Sequence, residues 1–129
     1  MKVERVFSGA PWEKTVGYCR AIRAGPHVFV SGTAPVAEGG GIFAPGDAYA
    51  QTRRCFEIAF AAMAKLGAQP QHVVRTRMYV TDISKWNDHG RAHGELFREH
   101  PPATAMVEVS ALIDPAMTVE VEVDAVVED

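Results

Sequence analysis

The segment Val119-Glu120-Val121-Glu122-Val123-Asp124 decides the fold. Successive side chains of a β-strand point to opposite faces. Val119, Val121 and Val123 therefore share one face, and Glu120, Glu122 and Asp124 share the other. Such alternation marks a strand with one side in a core and the other turned away from it. The same rule at 73–81 puts Val74, Thr76, Met78 and Val80 on one side and Arg75, Arg77 and Tyr79 on the other. In the strand expected at 105–111, Val107 and Val109 oppose Met106 and Glu108. With the aliphatic faces under helices, the second face gathers Arg75, Arg77, Glu108, Glu120 and Glu122, with Tyr79 and Met106 among them. That face reads in one of two ways. It is a solvated surface of cross-strand ion pairs, each worth roughly 0.2–1 kcal/mol, or it meets other subunits and borders a polar pocket.

Working outward, strands are expected at 3–7, 18–23 and 27–31, the last two joined by the turn Ala24-Gly25-Pro26. A helix follows Pro45-Gly46-Asp47. Thr52, Cys55, Phe56, Ala59, Phe60, Met63 and Leu66 recur at helical spacing, and Gly67 closes the helix. Asp82 or Ser84 caps a second helix running to about residue 100, with Trp86, Leu96 and Phe97 as its sparse apolar positions. Pro101-Pro102 ends it. The last two strands are expected at 105–111 and 118–127. The order β-β-β-α-β-α-β-β implies a single α+β domain over residues 1–129. Its mixed six-stranded sheet carries two helices on one face.

The chain has 129 residues, 47% of them hydrophobic, and a formal net charge of −3. That length suits one domain with a sizeable core. No apolar stretch approaches the roughly 20 residues of a membrane-spanning helix, and residues 1–9 lack the apolar run of a secretory signal. Cys19 and Cys55 lie apart in apolar surroundings and read as buried thiols in a reducing cytoplasm. Mild acidity without Lys/Arg blocks argues against broad nucleic-acid or membrane contact.

Several side-chain groups carry chemistry. His89 and His93 share a helix face, but no Glu follows the first His and no downstream His signature exists, so they read as a solvated face and not a zinc site. Glu38-Gly39-Gly40-Gly41 lacks the Lys-Ser/Thr ending of a phosphate loop and reads as a hairpin or loop. Ser31-Gly32-Thr33 is not a nucleophile elbow. It reads as a turn whose amides and hydroxyls bind an anion or a carbonyl oxygen. Glu122 is a candidate general base, since a carboxylate near an apolar interface is raised toward neutrality. A structural ion pair is the commoner fate of such a residue.

Five stretches, in this order and spacing, resemble the RidA/YjgF family, also called endoribonuclease L-PSP-like. They are Val16-Gly17-Tyr18, Val28-Phe29-Val30-Ser31-Gly32-Thr33, Arg77-Met78-Tyr79-Val80-Thr81-Asp82, Pro102-Ala103-Thr104-Ala105-Met106-Val107-Glu108-Val109 and Val121-Glu122-Val123-Asp124-Ala125. The resemblance implies a chorismate-mutase-like fold and a homotrimer with its helix-free sheet faces packed together. Small-metabolite pockets would then lie at the clefts between subunits. The implied activity is cofactor-free hydrolysis of reactive enamines or imines to a carbonyl compound and ammonia. Carried over by position, Tyr18, Ser31 and Gly32 line the site and Glu122 handles water. Three positions depart from the family. Thr104 stands where the carboxylate-binding Arg is expected, Met106 where a pocket Cys is expected, and Gly90 where an Asn is expected. A guanidinium binds a carboxylate in two-pronged fashion, whereas a Thr hydroxyl offers one neutral hydrogen bond. The loss weakens binding of a 2-imino acid roughly ten- to a hundredfold. Arg77, on the same face as Glu122, either supplies a relocated guanidinium or pairs with Glu120 or Glu122. The expected function is a RidA-like hydrolase for an enamine or imine. The alternative is a non-catalytic ligand-binding or regulatory trimer. An endoribonuclease is disfavoured by the charge of −3.

Overall fold

The computed structural model describes residues 1–128. Its strands are β1 (Val3–Val6), β2 (Ala21–Ala24), β3 (His27–Thr33), β4 (Val73–Val80), β5 (Ala103–Glu108) and β6 (Val119–Val126). Its two main helices are α1 (Ala48–Ala64) and α2 (Trp86–Phe97). The sheet order is β1-β2-β3-β6-β4-β5. Only β4 and β5 pair in parallel; the other neighbours are antiparallel. The expected α+β sheet with two helices is therefore the fold.

Helix α1 begins where Asp47 accepts a hydrogen bond from the Ala50 amide, 2.9 Å, satisfying one of the free donors of the first turn. It ends as Gly67, at φ 86°, turns the chain back. The Gly67 amide then bonds Ala64 O at 3.1 Å and the Ala68 amide bonds Met63 O at 3.0 Å, the paired bonds of a glycine-terminated helix. Cys55, Phe56, Ala59 and Met63 of α1 pack onto Val28, Val30, Met78, Val80, Val119, Val121 and Val123 of the sheet. The alternation in β6 is as read: its valines are buried and Glu120, Glu122 and Asp124 are half-buried on the other face. No helix among the described residues is long and apolar enough to cross a membrane.

Several expectations are corrected. A bulge between Val73 and Arg75 turns Val74 outward and puts Val73 in the core in its place. In β5 the faces are reversed. The parallel register sets Thr104 beside Thr76 and Met106 beside Met78, so Thr104, Met106 and Glu108 lie on the helix side, with Met106 against the core. Ala103, Ala105 and Val107 lie on the open side. Strand β5 also starts directly after Pro102, two residues earlier than expected. The strand expected at 18–23 is β2 alone; before it, residues 13–17 form a π-helical turn. Trp86 is exposed, and His89 takes its place in the core of α2. The two histidines do not form a solvated face. His89 is buried with Nδ1 2.7 Å from Thr52 Oγ1, and His93 is half-buried with Nε2 2.8 Å from Thr76 Oγ1. Cys55 is buried, but Cys19 is only half so. Residues 36–42 close as a small hairpin through a bridge between Val36 and Ile42.

Candidate functional site

The site is built on an irregularity in β3. Val30 pairs with Val123 and Thr33 with Val121, so Ser31 and Gly32 together face the single residue Glu122. This is a β-bulge, which re-aims side chains at a sheet surface. The Ser31 hydroxyl donates to Cys19 O at 2.8 Å, and the Ser31 amide bonds Arg20 O at 3.0 Å. The Arg20 guanidinium donates from Nη2 to the Gly32 carbonyl oxygen and lies over the Tyr18 ring, 5.5 Å from its centroid. Bulge, Arg20 and Tyr18 thus hold one another in place.

Two adjoining cavities open beside this bulge and share Tyr18 and Ala10. The larger, about 910 Å³, is lined by Phe7, Pro11, Tyr18, Cys19 and Ser31 among others. The smaller, about 440 Å³, holds Tyr18, Arg20, Gly32 and Glu120, with Trp12 and Leu112 as apolar wall. The loop beside both is tied down by Glu13, whose buried carboxylate accepts from the single Ser8 amide at Oε1 (3.1 Å) and Oε2 (3.2 Å) and from the Ser8 hydroxyl.

The charges on the open sheet face pair diagonally. Arg77 stands opposite Glu122 in register but reaches Asp124, 3.3 Å away; this corrects the expected pairing with Glu120 or Glu122. Tyr79, opposite Glu120, donates its hydroxyl to Glu122. That bond, ahead of burial, raises the Tyr79 pKa. Glu120 is the carboxylate displaced toward neutrality: burial raises its pKa, the Arg20 charge pulls it back, and the Glu122 charge adds to the rise.

Glu120 and Arg20 escaped sequence reasoning. The alternation of β6 marked Glu120 as a partner of Glu122, but nothing local showed that Gly32 would leave room for it. Of the residues singled out, Tyr18 and Ser31 line the larger cavity and Tyr18 and Gly32 the smaller; Glu122 stands across the bulge from Ser31 and Gly32 but lines neither, its carboxylate held by Tyr79. Arg77 is nearby on the open face. Thr104, Met106 and Gly90 do not join them. Thr104 and Met106 lie on the helix side of β5, three strand spacings from β3, or about 14 Å. The Thr104 hydroxyl receives a hydrogen bond from Thr76 Oγ1 at 2.7 Å. Gly90 sits in α2 with open space where a side chain would stand.

The sequence profile of the family described as endoribonuclease L-PSP matches residues 9–127. This chain belongs to the RidA/YjgF family. A member of the YjgF/YER057c/UK114 family from Mycobacterium tuberculosis, Rv2704, shares 44% sequence identity. Its crystal structure superposes with a TM-score of 0.89 over 98% of this chain and 100% of that one. The uncharacterized protein SCO2049 of Streptomyces coelicolor is 40% identical over 123 residues, 95% of this chain and 91% of that one. The 3-aminoacrylate deaminase RutC of Acinetobacter baylyi is 29% identical over 104 residues, 81% of this chain and 82% of that one.

Proposed function

We propose that this RidA/YjgF protein hydrolyses a reactive enamine or imine to a carbonyl compound and ammonia, at clefts between three copies of the chain. The observation that carries this reading is the Glu120 carboxylate, raised by burial, in a cavity of about 440 Å³ with Tyr18, Arg20 and Gly32. Two carboxylates in unlike environments suit acid and base roles. Glu122, held by the Tyr79 hydroxyl, positions the water that attacks the C=N carbon. Glu120, whose burial favours its protonated form, gives a proton to the nitrogen while Glu122 takes one from the water; Glu122 then returns its proton to the nitrogen of the carbinolamine and Glu120 takes the hydroxyl proton, so the C–N bond breaks and ammonia leaves as the carbonyl forms. Ser31, Gly32 and Tyr18 shape the pocket. The chemistry needs no cofactor.

Assembly into a homotrimer fits two observations. Thr104, Met106 and Gly90 lie too far from Tyr18 and Ser31 to share a pocket within one chain, so a second copy would have to bring them together. The open sheet face also exposes Phe29, Val107 and Val126, the kind of apolar surface that subunits cover. Free thiols at Cys19 and Cys55 suit a cytoplasmic setting. One observation favours a ligand-binding trimer without turnover: Thr104 is neutral and its oxygen already accepts from Thr76, so it brings no charge to the β5 side of the cleft.

A coupled assay tests the proposal. A dehydratase generates 2-iminopropanoate, and keto-acid formation is followed with and without the protein and with Glu122→Ala and Glu120→Gln variants. Acceleration that both variants reduce supports the hydrolase. No acceleration on this or on a neutral imine leaves the binding trimer.

A further inference from the structure

We infer that Arg20 is the anion-binding residue of the smaller cavity, and that the cavity selects a small ligand with a carboxylate at one end and a nitrogen at the other. This rests on the reading of that cavity as the ligand site. Arg20 is 7% exposed. Its backbone is fixed by bonds to Val6 O at 2.7 Å and from the Ser31 amide at 3.0 Å, and its guanidinium by the Tyr18 ring and the Gly32 carbonyl. A guanidinium carries five N–H donors. Here Nε has no hydrogen-bond partner, and no carboxylate among the described residues lies within ion-pair distance of the group. A buried cation short of acceptors is costly, and a carboxylate supplies oxygens in the geometry that a guanidinium fork prefers.

Glu120 borders the same space. A cavity holding one fixed cation and one carboxylate complements a ligand of the opposite polarity. The ligand's carboxylate faces Arg20, and its iminium, ammonium or N–H group faces Glu120. The volume of about 440 Å³ keeps that ligand small. Arg77 is the weaker candidate: its side chain is 40% exposed and already paired with Asp124. Thr104 is neutral. The guanidinium missing from β5 is thus supplied from the residue just before β2.

Calorimetric titration of the whole chain tests this with three probes of similar size: pyruvate, propanamide and acetone. Pyruvate is expected to bind roughly ten- to a hundredfold more tightly than the neutral pair, and less tightly as salt rises. Arg20→Lys, which keeps the charge and loses the fork, is expected to lose about tenfold for pyruvate alone. Glu120→Gln, which removes a like charge, is expected to tighten pyruvate. Should Arg20 variants fail to fold, the probe comparison on the unmodified chain and on Arg77→Ala decides: a preference for pyruvate that survives Arg77→Ala supports Arg20, and one lost with Arg77 overturns it. Pyruvate binding no tighter than propanamide overturns the assignment. So does binding that survives Arg20→Lys and disappears in Arg77→Ala. Pyruvate binding that depends on Arg20, without imine hydrolysis, leaves the assignment standing and removes the hydrolase. Hydrolysis of neutral imines without charge discrimination does the reverse.

Discussion

The Glu120 carboxylate fills the space where a side chain on residue 32 would stand: a Cβ on Gly32 would lie 2.7 Å from Glu120 Oε2. The obstructing atom is the far end of a flexible side chain, and the Gly32 backbone does not adopt a positive φ. In Gly32→Ala the carboxylate therefore swings aside while the sheet holds. The expected loss of stability is about 0.5–1.5 kcal/mol, the cost of moving one side chain off its rotamer. Activity or ligand binding is expected to fall by roughly tenfold or more. Urea denaturation beside the coupled assay separates the two. Unchanged activity would show that the position of Glu120 does not matter.

Glu120 also sets a pH dependence. Its folded pKa is raised, chiefly by burial, so the folded state holds the proton more tightly than the unfolded one. The contribution to stability is present below the unfolded carboxylate pKa, roughly 4.3, and is lost as pH rises through the folded pKa. Glu120→Gln removes this term. The melting temperature of the variant relative to the parent is expected to climb as pH rises from about 4 and to level off once pH has passed the raised folded pKa. A constant difference across that range would refute the assignment.

The histidines of α2 act with the opposite sign. Burial lowers both His89 and His93 from the usual 6.5. Their contribution is present above that value and lost as pH falls through the folded pKa values. Each ring is held by a threonine. Thr52 gives its proton to Ala48 O at 2.8 Å, so His89 donates from Nδ1 to Thr52 Oγ1. Thr52→Val strands that buried N–H and is expected to cost about 1–3 kcal/mol, read by urea denaturation at neutral pH. Imidazole resonances of both histidines are expected to titrate below 6.5 in NMR spectra.

Assembly is testable on the open face. Phe29, paired in register with Asp124, stacks on His27 with centroids 6.2 Å apart and remains exposed. Phe29→Asp places a charge there without disturbing the helix side. Sedimentation is expected to give a trimer for the parent chain and smaller species for the variant. A monomeric parent would remove the intersubunit cleft and leave the site to the cavities beside Tyr18.

The sequence by itself determined the element order, the valine face of β6, the apolar stripe and both ends of α1, and the motifs that mark the family. These are local properties, carried by periods of 2 and 3.6 residues and by end residues such as Asp47 and Gly67. Tyr18, Ser31 and Gly32, singled out from the sequence, line the two adjoining cavities. The tertiary structure decided what local pattern leaves open. Strand β5 is short and at the sheet edge, so both of its faces are partly apolar and only its register with β4 turns Thr104 and Met106 toward the helices. His89 and His93 look polar in sequence, and only the packing of α2 on α1 and β4 buries them. The partners of Arg77 and Glu122 are diagonal neighbours, set by strand register. Arg20, just before β2, and Glu120 of β6 are 100 positions apart in the chain and border one cavity because β3, with its bulge at Ser31 and Gly32, pairs with β2 on one side and β6 on the other.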